Sequence, residues 1–292
     1  MVRDNQGIVI RPPSEAGSFL LQATIGCSHN RCTFCATYRF VRFSVRPFEK
    51  VAEDIELAAR WNPGISRAFI CDGDAMCLPT SDLERILDCL GDNFPRLERV
   101  GIYANARDIL AKTPGELELL RVKKLGIAYV GLESGNDELL ESVKKGATAE
   151  EMVQAVRKAE DAGIATSVIV LLGLGSNGMS RQHASDSARV VSRMNPSYLS
   201  ALTLMLLPGT PLFRDFEKGD FEIMNPLSIL GELRWFLEGI DVESPCVFRT
   251  NHASNYLPVG GILPLDKERM LAVIDRGLTD PSLLRPESRR AL

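Results

Sequence analysis

The sequence has no apolar run long enough to cross a bilayer. Its longest runs, residues 165–172 and 199–207, fall far short of the roughly 20 residues that a membrane helix needs. A signal peptide is also missing near the start, where MVRDNQGIVIRPP is polar and interrupted by prolines. These two absences predict a cytoplasmic protein with no membrane partner.

Positive charge is not in surplus either. The chain has 34 Lys and Arg against 38 Asp and Glu, a formal net charge of −4. Because broad neutralisation of phosphates requires a basic surface, this balance argues against a nucleic-acid partner. The length of 292 residues, 45% of them apolar, suits one large α/β domain or a domain with an appendage.

An even set of cysteines is likewise absent. The chain has seven cysteines, and cytosolic thiols are kept reduced, so a disulfide framework is not expected. No second cysteine cluster accompanies the three in GCSHNRCTFC. The remaining four are scattered and are expected to be ordinary packing residues, namely Cys71, Cys77, Cys89 and Cys246.

Short apolar runs with β-branched or aromatic residues recur along the chain and predict buried strands. Amphipathic stretches with helix-start and helix-stop signals lie between them, which predicts right-handed βαβ units and a parallel sheet. Six such strands predict an α/β fold, a partial (β/α)6 TIM-like barrel with a C-terminal α+β extension. The predicted strands are residues 18–25, 67–71, 98–103, 127–132, 166–172 and 198–206. The predicted division is a lead segment at 1–17, the barrel at 18–220 and the extension at 221–292.

The segments that follow these strands carry the unusual residues. Ligands of parallel α/β sheets bind at the carboxyl ends of the strands, so chemistry is expected in these segments. In chain order they are GCSHNRCTFC, CDGDAM, ANAR, ESG and GLGSNG.

The first of these segments places Cys27, Cys32 and Cys35 at spacings of four and two residues. A structural zinc site needs four ligands, and His29 would have to fold back across a tight loop to become the fourth. We therefore favour His29 as an exposed loop residue. A 4Fe-4S cluster held by three thiolates fits the spacing and leaves one iron open for a ligand.

A three-cysteine loop after the first strand of a partial barrel resembles the radical S-adenosylmethionine enzymes. The nearest resemblance is to the subgroup of oxygen-independent coproporphyrinogen oxidase and elongator-type enzymes, although this loop is CX4CX2C instead of CX3CX2C. The resemblance implies a 4Fe-4S cluster, S-adenosylmethionine at the open iron, and oxygen sensitivity. It also implies reductive cleavage of the ligand to methionine and a 5′-deoxyadenosyl radical, with an electron donor such as flavodoxin or ferredoxin.

The same resemblance implies roles for residues at the strand ends. It places Phe34 near the adenine, with a core packing role as the alternative. It also places Gly73 and Asp74 at the methionyl ammonium, and Asn105 with Arg107 at the methionyl carboxylate. An acid at the cationic end of the ligand is physically reasonable, although DGD is also a common turn sequence.

Two further segments follow the fourth and fifth strands. The resemblance places Glu133 at the ribose hydroxyls or the methionine end, with a structural ion pair as the alternative. Gly173 and Gly175 would let backbone atoms approach the adenine. A phosphate loop is disfavoured because no Lys-Ser/Thr follows GLG.

The tail contains the segment CVFRTNHASNYLPVGG, whose concentrated polar residues are not expected in a core strand, namely Arg249, Asn251, His252, Ser254, Asn255 and Tyr256. It predicts either a hydrogen-bonded loop that closes the barrel or a substrate-facing lid, with His252 as a group for proton transfer or hydrogen bonding. His183 is a weaker candidate. The other possible substrate residues are Arg249, Asn255, Tyr256 and Arg11.

These features predict a radical enzyme that acts on a small or medium-sized metabolite. Two alternatives stay open, a tRNA-modifying radical enzyme and a non-catalytic iron-sulfur or zinc protein on the same fold. The open iron favours the enzyme, since a protein that only binds a metal needs no open position.

Overall fold

A computed structural model of the chain describes residues 9–291. The first eight residues of the predicted lead segment therefore lie outside the described residues. Within this range the strands are β1 Phe19–Gln22, β2 Thr24–Ile25, β3 Ser44–Val45, β4 Arg67–Cys71, β5 Arg99–Ala104, β6 Leu125–Glu133, β7 Ala165–Leu172, β8 Tyr198–Thr203, β9 Cys246–Arg249 and β10 Gly260–Leu263.

The helices of the described range alternate with these strands. They are α1 Phe48–Trp61, α2 Thr80–Asn93, α3 Ala106–Leu110, α4 Pro114–Val122, α5 Asp137–Ser142, α6 Ala149–Asp161, α7 Ser176–Met194, α8 Pro211–Lys218, α9 Pro226–Gly239 and α10 Lys267–Thr279. Local signals set many of their ends. Thr113 and Glu116 form a reciprocal capping box at the start of α4, for example, and Gly219 ends α8 with a φ of 83°.

The main sheet has eight strands in the order β1, β4, β5, β6, β7, β8, β9 and β10. The registered pairs from β1 to β9 are parallel, and β9 pairs with β10 in antiparallel fashion. All six predicted strands are present, and the prediction of an α/β fold with a mostly parallel sheet is confirmed. The first predicted strand divides at Ala23, because Thr24 and Ile25 pair with β3 in a separate small sheet.

The polar tail residues lie outside the core strands, since Asn251, His252, Ser254, Asn255 and Tyr256 stand between β9 and β10, and Arg249 is the exposed last residue of β9. The ends of the tail segment form β9 and β10, and Leu199 of β8 lies beside Phe248 of β9. Cys246 and Phe248 are both 0% exposed, which is the alternation of a strand with one buried face. Because β9 has four residues and polar residues follow Arg249, composition alone did not predict this strand.

The chain divides into two compact units. The first comprises residues up to Asn30, Thr37–Val130 and Lys158–Thr166, and the second comprises Arg31–Ala36, Gly131–Arg157 and Ser167 to the end. The boundaries predicted at residues 18 and 221 are a different division and stay a prediction.

An aromatic cluster occupies the core of the first unit. The ring of Phe69 meets those of Tyr103 and Tyr129 edge-on, with centroids 5.0 and 5.5 Å apart. The hydroxyl of Tyr129 donates to the fully buried Glu15, which also accepts from Arg99, each at 2.6 Å. This buried carboxylate is therefore paired and hydrogen-bonded, as burial of a charge requires.

In the second unit, α9 packs against α7 and α10. Its buried apolar residues recur at helical spacing and face these neighbours, and they include Ile229, Leu233, Phe236 and Leu237. None of the helices in residues 9–291 combines the length and apolar character of a membrane span.

The buried face of β9 provides a stability prediction. We expect Phe248→Ala to lower the free energy of unfolding by about 3–5 kcal/mol, because a fully buried ring is replaced by a cavity. Leu265→Ala is the control, since Leu265 is 81% exposed and should change stability by less than about 0.5 kcal/mol. Urea denaturation measures both, and equal values would show that β9 is not part of the core.

Candidate cofactor site

The turn after β4 holds the start of the cysteine loop in the first unit. The Gly26 N–H donates to Asp72 Oδ2 at 3.2 Å, and the Gly73 N–H donates back to the Gly26 carbonyl at 3.0 Å. A Cβ on Gly73 would lie 2.4 Å from the Cβ of Cys27, so only glycine permits this approach. The predicted importance of Gly73 thus has a steric cause in the protein itself.

Asp72 is part of the same contact. Its backbone is left-handed, with a φ of 75°, and its side chain also accepts from Gln22 Nε2 at 2.8 Å. Burial raises the pKa of its carboxyl. Because its Oδ2 atom receives the Gly26 N–H, Asp72 fixes the chain just before Cys27.

Asp74 is fully buried and gathers polar groups from two segments, the cysteine loop and the residues after β5. Its Oδ1 accepts from the Ser28 N–H at 2.8 Å, and its Oδ2 accepts from Asn105 Nδ2 at 2.7 Å. Arg107 Nη2 lies 3.3 Å from Oδ2, and the Ser28 hydroxyl donates to the same oxygen. The structure therefore brings together Asp74, Asn105 and Arg107, all three of which were predicted site residues.

These donors change the role expected of Asp74. Three of the four donors converge on Oδ2, and the fourth, the Ser28 N–H, reaches Oδ1. Asp74 is thus arranged to orient Ser28, Asn105 and Arg107. Arg107 has five N–H donors and a side chain that is 42% exposed, so it keeps donors for an anionic ligand. Ser28 was not predicted, and its only sequence signal is its position beside Cys27.

The three loop cysteines differ from the cysteines of the core. Every cysteine lies in the described residues, and none is in a disulfide. The thiols of the loop are partly exposed, whereas Cys71 and Cys246 are buried as predicted and Cys77 and Cys89 are partly exposed. Burial raises the pKa of Cys71 to about 12, which makes it an inert packing thiol.

The remaining part of the loop belongs to the second unit. The Thr33 N–H donates to the Val143 carbonyl at 3.0 Å, and the Leu212 N–H donates to the Thr33 carbonyl at 3.1 Å. Two backbone hydrogen bonds therefore fix the segment between Cys32 and Cys35. Phe34 and His29 are partly exposed.

The donor set suits a cluster better than a single ion. No group of three or more His, Cys, Asp or Glu side chains within residues 9–291 is placed to hold one metal ion. The ligands of a single ion converge on one point, whereas each thiolate of a cluster binds a different iron. Three thiols in one loop, without a fourth, match the second requirement.

Glu133 forms an ion pair in the second unit. Lys145 Nζ lies 3.0 Å from its Oε1, and the two side chains are 8% and 12% exposed, respectively. A Cβ on Gly131 would lie 2.2 Å from the same carboxylate oxygen, so a side chain there would displace the paired groups. The structure thus contains the ion pair that was the alternative to a ligand contact for Glu133.

The glycines after β7 are explained in part by packing. Gly173 has a φ of 85°, and a Cβ on it would lie 2.8 Å from Ile229 Cδ1 of α9. Its N–H donates to Glu232 Oε1 at 2.7 Å. Gly175 precedes α7, and a Cβ there would lie 3.0 Å from the Met179 Cβ. Helix α9 of the tail therefore supports the loop that was predicted to meet the adenine.

Glu232 belongs to a buried polar network that the sequence did not reveal. Ser180 Oγ donates to its Oε2 at 2.5 Å, and His183 Nε2 lies 3.6 Å from its Oε1. The other ring nitrogen, Nδ1 of His183, lies 2.8 Å from Ser134 Oγ. The available signal was Glu232, which lies among apolar residues in the helix sequence PLSILGELRWFLEG.

The polar tail residues are engaged in a hydrogen-bonded loop. Asn255 accepts from Thr203 Oγ1 at 2.8 Å and donates to the carbonyls of Ala201 and Thr250 at 2.8 and 3.0 Å. Tyr256 is 4% exposed and donates to Glu287 at 2.8 Å. These contacts support the loop alternative for Asn255 and Tyr256.

His252 and the two arginines are less enclosed. His252 Nδ1 accepts from the Ser254 N–H at 3.1 Å, which leaves the proton of the neutral ring on Nε2. Burial and the nearby Arg285 lower the pKa of His252. Arg249 at the end of β9 and Arg11 are exposed.

Comparison with known proteins identifies the family. The family model described as the Radical SAM superfamily matches residues 21–187, more than half of the chain. The chain belongs to the Radical SAM superfamily. The predicted family is thereby confirmed, and members of this superfamily use a 4Fe-4S cluster and S-adenosylmethionine.

Individual relatives of this radical SAM chain are distant. A candidate methylthiotransferase of Methanocaldococcus jannaschii is 26% identical over 151 residues, which cover 48% of this chain and 31% of that protein. The 4′-phospho-dehydrooxetanocin synthase of Priestia megaterium is 26% identical over 165 residues, 51% of this chain and 22% of that protein. The alignments thus cover less than a third of the length of either relative.

A solved structure shows the same fold. The radical S-adenosylmethionine methyltransferase TsrM of Kitasatospora setae matches with a TM-score of 0.58 and 21% identity, over 75% of this chain and 43% of that chain. At this identity the likeness establishes the fold of the radical SAM chain and nothing finer.

The buried pair Glu232 and His183 provides a pH prediction. Burial raises the pKa of Glu232 from 4.5 to about 7 and lowers the pKa of His183 from 6.5 to about 4. From pH 4.5 to 7 the folded state holds a proton on Glu232 that the unfolded state has released, so this contribution to stability falls as pH rises. From pH 4 to 6.5 the unfolded state holds the extra proton on His183, so that contribution rises and opposes the first.

We expect Glu232→Gln to remove the falling contribution. Between pH 4 and 6.5 the free energy of unfolding of this variant should rise more steeply than that of the natural chain, by about 2–3 kcal/mol. Urea denaturation at a series of pH values measures the difference. Glu268→Gln, at an exposed position of α10, should retain the natural profile, and an unchanged profile for Glu232→Gln would contradict the assignment.

Proposed function

We propose that the chain is a radical SAM enzyme in which Cys27, Cys32 and Cys35 hold three irons of a 4Fe-4S cluster and S-adenosylmethionine occupies the fourth. When bound, these groups supply reductive cleavage of a sulfonium carbon–sulfur bond and a strong abstractor of hydrogen atoms. The observation that carries the proposal is the three-thiol loop, whose first cysteine is held by the turn at residues 72–74.

Side chains of the first unit would bind the methionyl end. Asp74 orients Asn105 and Arg107, and the exposed guanidinium of Arg107 would pair with the ligand carboxylate. Gly73 would allow the ligand to lie against the backbone. In this arrangement Asp74 keeps its contacts with Ser28, Asn105 and Arg107 and acts on the methionyl end by orienting them.

Other residues would bind the nucleoside end. Phe34 would pack on the adenine, and Gly173 with Gly175 would bring backbone groups to its edge. Glu133 would accept from the ribose hydroxyls while it remains paired with Lys145. Because Lys145 contacts Oε1, the other oxygen, Oε2, would accept from the ribose hydroxyls.

The proposed substrate is a small or medium-sized metabolite, converted in the cytoplasm. His252 and the exposed Arg249 and Arg11 remain the substrate candidates, because the polar atoms of Asn255 and Tyr256 are occupied within their loop. Methylthio transfer is a second candidate, supported by the name of the Methanocaldococcus relative. Transfer of deuterium from labelled substrates into 5′-deoxyadenosine would identify which molecule loses hydrogen.

The cluster proposal predicts products that can be measured. Anaerobically reconstituted protein with dithionite and S-adenosylmethionine should release 5′-deoxyadenosine and methionine. Cys32→Ala should lose the cluster absorbance and at least about a hundredfold of product formation, because one iron loses its thiolate. Cys89→Ala, a cysteine of α2, is the matched control and should keep both. Absence of product from the natural chain together with a normal spectrum for Cys32→Ala would refute the proposal.

The role of Arg107 predicts a loss of ligand binding. We expect Arg107→Ala to weaken binding of S-adenosylmethionine by about tenfold to a hundredfold, because a charge-assisted pair of about 1.5–3 kcal/mol is removed. Equilibrium dialysis on cluster-loaded protein measures this affinity, and Arg107→Lys should recover part of it. Arg96→Ala, at an exposed arginine of the same unit, should bind normally. Equal affinities for Arg107→Ala and Arg96→Ala would remove Arg107 from the site.

A further inference from the structure

A basic and aromatic turn follows the cysteine loop. Residues 37–46, TYRFVRFSVR, contain three arginines and no acid, in a chain whose acids outnumber its basic residues. Phe40 is 88% exposed, the highest value among the large exposed hydrophobic residues. Arg42 is exposed and Arg39 is partly exposed. We call Arg39, Phe40 and Arg42 the basic turn.

The guanidiniums of the basic turn are not used within the fold. Across residues 9–291, neither Arg39 nor Arg42 has a hydrogen bond, an ion pair or a ring contact. Arg46 of the same segment differs, since it is buried, pairs with Asp54 at 2.7 Å and donates to the Gln22 carbonyl. Exposed aromatic residues beside arginines are the composition that protein interfaces favour.

Asn30 connects the basic turn to the first cysteine. Its Nδ2 donates to the carbonyls of Tyr38 and Val41 at 2.7 and 3.3 Å, and the Val41 N–H donates to the Tyr38 carbonyl at 2.9 Å to close the turn. The backbone N–H of Asn30 donates to the Cys27 Sγ at 3.5 Å. One residue therefore fixes the exposed turn and contacts the sulfur proposed as an iron ligand.

We propose that the basic turn is the docking surface for a small acidic one-electron carrier protein. This rests on the proposed function, because the electron is delivered to the cluster that Cys27 helps to hold. The carrier is oxidised by one electron and the cluster is reduced by one, with no bond made and no proton moved. Asn30 contacts both the docking turn and the sulfur of Cys27.

The small size of the surface favours a carrier protein over a nucleic acid. Electron-transfer encounters use weak interfaces of less than about 1,200 Å², which a turn with two arginines and one phenylalanine can anchor. Binding of nucleic acid draws on many phosphate contacts, and the chain has a net charge of −4. The same net charge repels an acidic carrier elsewhere, so a local cationic turn directs where it docks.

The experiment compares two reductants of the reconstituted protein. Stopped-flow absorbance follows cluster reduction by flavodoxin hydroquinone, an acidic flavoprotein, and by dithionite, which needs no docking surface. The variants are Arg39→Glu with Arg42→Glu, and Phe40→Ala. The matched controls in the same unit are Arg96→Glu at an exposed arginine and Trp61→Ala at a side chain that is 79% exposed.

We expect the double arginine variant to lose about tenfold or more of its reduction rate with flavodoxin at low salt, and to keep its rate with dithionite. The rate of the natural chain should fall with salt more steeply than that of the variant. Phe40→Ala should lose rate with flavodoxin without a change in salt dependence. Both controls should match the natural chain with either reductant.

Three results would overturn the proposal. The first is an unchanged flavodoxin rate in the variants, and the second is an equal loss with both reductants, which would make the turn part of the cluster pocket. The third is loss of tRNA binding in the variants with unaltered flavodoxin rates, which would assign the turn to nucleic acid. A natural chain that is reduced by flavodoxin and releases no 5′-deoxyadenosine would contradict the proposed function and leave the docking result standing.

Discussion

The buried carboxylate of Asp74 is the constraint around which the proposed cofactor site of the first unit is arranged. A charge that is removed from water must be paired and hydrogen-bonded, and Asp74 meets this need with Ser28, Asn105 and Arg107. Ser28 belongs to the cysteine loop, and Asn105 and Arg107 both follow β5. Because the buried Asp74 carboxylate must be hydrogen-bonded, the cysteine loop and the segment after β5 lie beside the turn after β4.

The turn at residues 72–74 also fixes the position of the cysteine loop. Asp72 and Asp74 accept N–H groups on either side of Cys27, while Gly73 lets the chain pass against that cysteine. A larger residue at position 73 would displace the loop. Rigid placement of a thiolate is what a cluster ligand requires, because the outer contacts of a metal site orient its ligands.

The second unit also contains a buried carboxylate that holds a loop. Glu232 of the tail helix α9 accepts from the Gly173 N–H and from Ser180, and it lies beside the buried His183. Since the glycine loop is held from the tail, the C-terminal residues support the predicted cofactor loop as well as extend the sheet through β9 and β10. The tail therefore has a structural role that is separate from any contact with substrate.

The sequence by itself determined the six strands, the helices between them, the three-thiol loop and the family, because each is written in contiguous residues as a period, a spacing or a motif. The tertiary structure decided which side chains pair with one another. Ser28 meets Asp74 from 46 positions away and Glu232 meets Gly173 from 59. Glu133 forms an ion pair with Lys145, and β9 is a core strand because it pairs with β8. Such pairings depend on where folding brings distant side chains, and no local pattern encodes them.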